Sequence, residues 1–347
     1  FLKKSKLLGG ELLISKTGEY LGRAYIFSPI NDNDYYTLAD NIFLLRLKDK
    51  KFNGYVFAFI NSNVGRKLLL RWGQGTGQPT IIKDSLRSIK IPLISEVDLV
   101  RLNDLINSHY YLSKESQIIY KQAIDLLEHE LKLDKISFLR KNNYTARFSE
   151  VVSNNRSDAD YYQTKFRQLE SHIQTIQSVS LSSICTFVKG VEVGTPAYTT
   201  NGPTFIRVSN LTKEGFSFGN SDKYISNELY KNLKSYQPQI GDILLTKDGT
   251  IGTCYVVDEY VEGIFSSGIM NLNLIDSKIP KEYLALVINS KLCQMQAERE
   301  CSGALITHWK PEQIRNLRIP VLRPEIMDKI NELCMQSKAA RKESNAS

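Results

Sequence analysis

Residues 10–92 recur, loosely but recognisably, at 241–320, and this duplication limits the possible folds more than any composition does. Tyr55–Pro92 aligns on Tyr283–Pro320 without a gap, at an offset of 228 residues. Tyr55, Ile60-Asn61-Ser62, Arg71, Gly75, Arg87 and Ile91-Pro92 return as Tyr283, Ile288-Asn289-Ser290, Arg299, Gly303, Arg315 and Ile319-Pro320. Upstream, Gly10–Gly18 matches Gly241–Gly249 at an offset of 231. Solenoid units run about 20–50 residues, so a period this long means two similar domains on one chain. The copies have diverged, as expected of similar jobs on different targets.

At 347 residues the chain has room for two domains of about 150 residues each. Charged residues at 24 % and hydrophobic residues at 42 % fit a soluble globular protein. A net charge of +8 leans toward a polyanionic partner. The cysteines (Cys185, Cys254, Cys293, Cys301, Cys334) are odd in number and form no C-x-x-C pair, which argues against a disulfide framework or a zinc site. The cytoplasm is the expected compartment. No apolar run approaches the roughly 18–20 residues of a membrane span, and no signal peptide is recognisable. Because the chain opens at Phe1, an N-terminal piece is expected to be absent.

Each copy should begin with a hairpin: Leu12–Ser15 with Ala24–Phe27, and Ile243–Thr246 with Thr253–Val257. The Lys/Gly loops between these strands supply the positive φ that tight turns need. A third strand is expected at Ile42–Leu47 and Ile269–Leu274. A helix should follow at Gly54–Trp72 and Lys281–Arg299, then a polar loop and a short strand ending in Ile-Pro.

Between the copies the period changes. Leu105, Leu112, Ile119, Leu126 and Leu133 fall at intervals of seven, and neither Pro nor Gly interrupts Glu96–Lys141. The spacing predicts a long helix with a coiled-coil seam, on the order of 65 Å at 1.5 Å per residue. Its expected partner is an antiparallel helix opening at Pro324, with Ile326, Ile330 and Leu333 on the facing side. The expected division is residues 1–95, a first domain lacking its front half; 96–143, the spacer helix; 144–322, a fuller second domain; and 323–347, part of a second helix. The fold class is α+β.

This layout resembles the specificity subunit of Type I restriction–modification systems and related Type II specificity proteins. The resemblance covers essentially the whole chain. Its local marks are Arg156-Ser-Asp158-Ala159-Asp160-Tyr161-Tyr162, Phe205-Ile-Arg207-Val-Ser209-Asn210-Leu, Gly241–Gly252 and Leu317-Arg-Ile-Pro320. None is a catalytic signature. The resemblance implies a non-catalytic reader whose two target-recognition domains each read half of a split site in double-stranded DNA. Methyltransferase and restriction subunits would do the chemistry and would hold S-adenosylmethionine, magnesium and ATP. The chain itself would hold no metal or cofactor. Rigid helices of set length suit a fixed half-site spacing.

Several loops could touch DNA. Lys16-Thr17-Gly18 and Lys247-Asp248-Gly249-Thr250 lie at hairpin tips, and each is either a loop entering a groove or a solvated turn. Arg207, Ser209 and Asn210 follow an apolar strand, where an arginine can meet a guanine edge or simply face water. Lys189 is a similar case. Gln74, Thr76 and Gln78 correspond to the stretch holding Ser302, Gly303, Thr307 and His308. The glycine is kept there while the polar residues change, as in readers of different sequences or in ordinary drift. Gly73-x-Gly75-x-Gly77 follows a helix and lacks the Lys-Ser/Thr of a phosphate loop.

Enzymes and interaction scaffolds remain the rival classes. No Asn/Asp-Pro-Pro-aromatic run is present to hold a flipped base for methylation. Asp49-x-Lys51 and Asp276-x-Lys278 mimic part of a nuclease motif, but they align on each other at a charged turn. Glu128-His129-Glu130 has no second histidine at metal spacing. A scaffold that binds proteins and not DNA would leave the basic balance unexplained.

Overall fold

Leu12 and Ile14 are fully buried and alternate with half-exposed Leu13 and Ser15, so Leu12–Ser15 (β1) lays one face on a core. The computed structural model describes residues 6–18, 20–27, 29, 35–73, 79–138, 141–219, 221–301 and 308–346. It divides into unit 1, Phe1–Tyr120 with Gln336–Ser347, and unit 2, Lys121–Met335. Both mix helix and strand, so the α+β class holds.

In unit 1, β1 pairs antiparallel with Ala24–Ile26 (β2) on one side and Ile42–Leu45 (β3) on the other. Helices Asn53–Asn61 (α1) and Asn63–Arg71 (α2) add Val56, Ile60 and Leu69 to a core that also holds Leu21, Ala24 and Ile81. A short helix, Lys83–Ser88 (α3), leads to the long helix Glu96–Glu130 (α4), whose first 25 residues belong to this unit.

In unit 2, α4 ends and Phe148–Asn154 (α5) and Thr164–Ile173 (α6) follow. Next come Ser178–Ser180 (β4), Leu181–Ile184 (α7), Cys185–Lys189 (β5) and Tyr198–Ile206 (β6). A small hairpin, Leu211–Thr212 (β7) with Gly215–Phe216 (β8), precedes Lys223–Ile225 (β9) and Asn227–Asn232 (α8). The second copy then supplies Ile243–Thr246 (β10), Cys254–Val256 (β11), Gly263–Phe265 (β12), Ile269–Leu274 (β13), Lys281–Asn289 (α9) and Lys291–Glu300 (α10). Pro311–Arg315 (α11), Arg318–Pro320 (β14) and Pro324–Ala346 (α12) close the chain. Its main sheet runs β11-β10-β13-β5, and a second runs β12-β6-β9 with β12 parallel to β6.

The duplication extends to individual hydrogen bonds. Tyr55 Oη donates to the Pro92 carbonyl (2.6 Å) and Tyr283 Oη to that of Pro320 (3.0 Å). Asn61 clasps the backbone N–H and C=O of Ala24, and Asn289 does the same to Cys254. Asn103 Oδ1 accepts from the Gly54 amide (2.8 Å), and Asn331 Oδ1 from the Glu282 amide (3.3 Å). Each asparagine thus stands on a long helix and satisfies a first-turn donor of the helix packed beside it.

Four expectations need correction. The helices expected at Gly54–Trp72 and Lys281–Arg299 are each broken in two at a serine, Ser62 and Ser290, whose ψ is 160°. Ser62 Oγ donates to the Phe59 carbonyl and accepts from the Gly65 amide, closing one helix and opening the next. No strand forms at Ile91-Pro92, because β14 pairs with β4, and β4 lies in the segment that only the second copy carries. The long helix stops at Glu130, eleven residues early, with Lys132 in the left-handed region (φ 54°). There His172 donates to the Leu131 carbonyl (2.7 Å), and Leu131 and Leu133 turn inward. Finally, Leu105 is 40 % exposed and Leu112, Ile119 and Leu126 are half-buried. The buried line of α4 is Leu99, Ser116, Ala123 and Leu127; Leu99, Ala123 and Leu127 flank the seven-residue repeat in the sequence and belong to the expected apolar stripe, whereas Ser116 does not.

The antiparallel packing itself is present. In unit 1, Ser116 Oγ donates to the Ser337 carbonyl and Ser337 Oγ to that of Ser116, both at 2.8 Å. The His109 ring meets Ser344 Oγ and O, also at 2.8 Å. Shifting Ser116 by 228 gives Ser344, and shifting His109 gives Ser337, so one contact is the other viewed from the opposite helix. The pair therefore carries a local pseudo-two-fold, and small seam residues let the backbones approach. In unit 2, Arg323 reaches Glu130 (3.9 Å). On α12, Ile330 is buried as expected, Ile326 and Leu333 are half-buried, and Met327 and Cys334 complete the seam.

Candidate nucleic-acid interface

In unit 2 the C-terminal ends of β5, β6, β10 and β12 and the start of β13 gather at one edge of the fold. Gly190, just after β5, donates to the Ile269 carbonyl (3.0 Å), and Ser266, after β12, to that of Ile206 (2.8 Å). Lys247, after β10, donates its backbone N–H to Gly268 (2.9 Å). Gly268 has no room for a side chain, because a Cβ there would lie 2.7 Å from Val208. The strand ends therefore bring Lys189, Arg207–Ser209, Lys247–Thr250 and His308 into one neighbourhood, as recognition loops on a rigid sheet require.

Asp248 lies at the centre of this edge. Lys247 Nζ is 2.5 Å from its Oδ2, and His308 Nδ1 is 2.8 Å from its Oδ1. The backbones of Asp248 and His308 also form an antiparallel bridge, extended by the Trp309 amide on the Lys247 carbonyl (2.9 Å). Burial pushes the Asp248 carboxyl up, but the hydrogen bonds from Lys247 and His308 outweigh it and hold the group below the usual aspartate range. Lys247 is only 8 % exposed and so acts here as the inner partner of Asp248, whereas the His308 side chain is 59 % exposed. Gly249 takes φ 68° at the tip, and both it and Thr250 are exposed.

Arg207 is half-buried: its Nη2 donates to the Ser221 carbonyl (2.6 Å), and Nε is buried with no partner among the described residues. Asn210 is 2 % exposed and its amide is consumed internally, accepting from the Arg207 N–H and donating to Ser217 and Asp222. Its contribution is to hold the turn that displays exposed Ser209. Lys189 is exposed at the end of β5.

Unit 1 builds the same edge with different side chains. Lys16 donates its backbone N–H to the Asn41 carbonyl, and its own carbonyl receives the Ile81 amide (3.0 Å). Thr17 and Thr80 form the bridge that Asp248 and His308 form in unit 2. Lys16 Nζ lies 5.7 Å from the Phe43 ring centroid rather than on a carboxylate, and Gly18 takes φ 82°. Gln74, Thr76 and Gln78, and their counterparts Ser302, Gly303 and Thr307, lie outside the described residues.

Sequence reasoning overlooked the Lys247–Asp248–His308 cluster, because sixty residues separate aspartate and histidine; only the duplication, which aligns 248 with 17 and 308 with 80, pointed to it. It also left the Arg156–Tyr162 stretch without a role. Arg156 grips Asp158 through two hydrogen bonds (2.6 and 2.7 Å), and the guanidinium groups of Arg156 and Arg299 lie over the Tyr161 ring at 4.7 and 4.4 Å. That cluster braces α6 and α10 within unit 2. Among the described residues no helix could cross a membrane, and no group of His, Cys, Asp and Glu could hold a metal.

Residues 173–331, which include every part of this edge, match the family described as Type I restriction modification DNA specificity domain. Unit 2 carries a DNA specificity domain of that family. Over residues 173–331 this match agrees with the resemblance drawn from the sequence, and it supports DNA recognition as the role of that stretch. No curated protein matches the chain. Among solved structures, the S subunit of a Type I restriction–modification system from M. genitalium aligns over 99 % of this chain and 81 % of its own. The identity is 12 % and the TM-score 0.46. A chain from a study of assembly and conformational transition in the type I R-M system aligns over 98 % and 78 %, with 13 % identity and a TM-score of 0.35. The HsdS subunit from Thermoanaerobacter tengcongensis aligns over 97 % and 76 %, with 14 % identity and a TM-score of 0.32.

Proposed function

We propose that this chain is the sequence-reading subunit of a restriction–modification complex, and that it reads a bipartite site in double-stranded DNA. Each copy of the duplicated domain reads one half through its hairpin edge, and the helix pair formed by α4 and α12 sets the spacing between halves. The observation that carries this reading is the paired bridge: Thr17 with Thr80 and Asp248 with His308 share one backbone arrangement but differ in every side chain. Holding the frame while changing the polar residues is what two readers of different half-sites require. The chain does no chemistry of its own. Methyltransferase and restriction subunits are its partners, and S-adenosylmethionine, magnesium and ATP belong to them. Its place is the cytoplasm, with the DNA it surveys.

The test is competition binding by the chain assembled with methyltransferase subunits, using duplexes mutated in one half-site at a time. The expected result is cognate preference that each half-site mutation weakens separately, with substitutions at 207, 248 or 308 acting on one half only. Equal losses on cognate and random DNA would leave a basic surface without readout and overturn the proposal.

A further inference from the structure

His308 has a fixed chemical polarity that its counterpart Thr80 lacks. An ionised carboxylate only accepts hydrogen bonds, so the nitrogen 2.8 Å from Asp248 Oδ1 must be the donor, Nδ1–H. In a neutral imidazole the other nitrogen, Nε2, is then left with a lone pair and no proton. Lys247 Nζ holds the other carboxylate oxygen, Oδ2, which leaves Oδ1 to His308. Backbone bonds hold the pair in register: the bridge between 248 and 308, and the Trp309 amide on the Lys247 carbonyl. The His308 side chain is 59 % exposed, so the imidazole is open to a ligand at the gathered strand ends.

We infer that Asp248 positions His308 as an obligate hydrogen-bond acceptor, and that Nε2 reads an exocyclic amino group, adenine N6 or cytosine N4, in the major groove of the half-site read by unit 2. This inference rests on the proposed DNA-reading role and adds the class of base edge. Guanine offers only acceptors in that groove and thymine an acceptor and a methyl group, so neither satisfies the lone pair. A threonine hydroxyl both donates and accepts, so the equivalent pair Thr17 and Thr80 imposes no such choice. The same backbone frame thus carries a polar filter in one copy and a permissive contact in the other.

Two measurements separate this inference from the reading beneath it. The first is nitrogen NMR of the full chain labelled with ¹⁵N-histidine, at mildly alkaline pH and without DNA, with the His308 signal assigned by its loss in His308→Phe. The expected spectrum is the Nδ1–H tautomer, lost or mixed in Asp248→Asn. A dominant Nε2–H form, or an imidazolium protonated on both nitrogens, would overturn the inference without touching the DNA-binding proposal. The second is selection of preferred duplexes from a randomised pool by the chain assembled with methyltransferase subunits. Wild type should show one position restricted to adenine or cytosine on one strand. His308→Phe and Asp248→Asn should relax that position by roughly tenfold, as loss of a base contact of about 1–3 kcal/mol implies. Specific selection that both substitutions leave unchanged would overturn the inference alone. Absence of any selected sequence would instead overturn the proposed function.

Discussion

Asn103 and Asn331 stand 228 residues apart and do the same thing: each offers its side-chain carbonyl to a backbone amide in the first turn of a neighbouring helix, Gly54 in one unit and Glu282 in the other. Neither α1 nor α9 has a side-chain cap of its own, since Phe52 and Pro280 precede them. The long helices therefore supply the missing acceptors, tying each globular layer to the helix beside it. Replacing Asn103 with Ala should cost about 1 kcal/mol, the usual worth of a cap, read as a lower denaturation midpoint with unchanged m-value. A change below experimental error would mean that the bond contributes nothing.

Gly65 allows the turn from α1 into α2 to close. A Cβ at that position would lie 1.9 Å from the Phe59 carbonyl oxygen, which is backbone and cannot swing aside. Gly65→Ala should destabilise unit 1 by more than the roughly 1–3 kcal/mol typical of overpacking. A stable Ala variant, measured by thermal unfolding, would show that the two helices are not joined as described.

The seam of the helix pair rests on small residues. Ser116 and Ser337 are 5 % and 2 % exposed and exchange reciprocal hydrogen bonds. Ser116→Leu should force the helices apart, losing about 1–3 kcal/mol or more in chemical denaturation. Leu105→Ala, at a residue 40 % exposed, should change stability by less than about 1 kcal/mol. The reverse ranking would restore the leucine stripe that the seven-residue spacing suggests.

Asp248 gives the strand-end edge of unit 2 a pH dependence of definite sign. Its folded carboxyl sits below the ordinary aspartate value, so the associated stability is fully present above about pH 4. It is lost as the pH falls through the depressed folded value. Asp248→Asn should therefore shrink the acid-side decline in stability and leave the neutral-to-alkaline slope unchanged. Identical acid limbs for the two proteins would contradict the pairing with Lys247 and His308.

The main architecture was legible in the sequence because a duplication reports structure twice. Tyr55/Tyr283 and Asn61/Asn289 match in the sequence, and each pair makes the same hydrogen bond; the Ile-Pro closures match too, but only Ile319-Pro320 ends a strand. Local exceptions were harder to see. Ser62 and Ser290 sit inside an uninterrupted apolar period, and only their side-chain bonds to the preceding turn reveal the break. The end of α4 is set by His172, forty-one residues away, not by a Gly or Pro. The seven-residue leucine stripe sits beside the seam, whose buried line runs through Leu99, Ser116, Ala123 and Leu127, so two of its four members are small residues that a leucine period does not mark. At the strand-end edge of unit 2, residue types were legible, but burial was not: Lys247 and Asn210 look like surface groups in the sequence and are enclosed in the fold.

The central claim is that one chain reads two half-sites with two copies of one domain. Mapping methylated positions across genomic DNA in cells expressing the chain with its methyltransferase partner tests it most directly. The account predicts one split motif, two short specified halves around an unspecified gap of fixed length, present only when this chain is expressed. Asp248→Asn and His308→Phe should alter one half and spare the gap and the other half. An uninterrupted motif, a gap of variable length, or simultaneous change in both halves would contradict it.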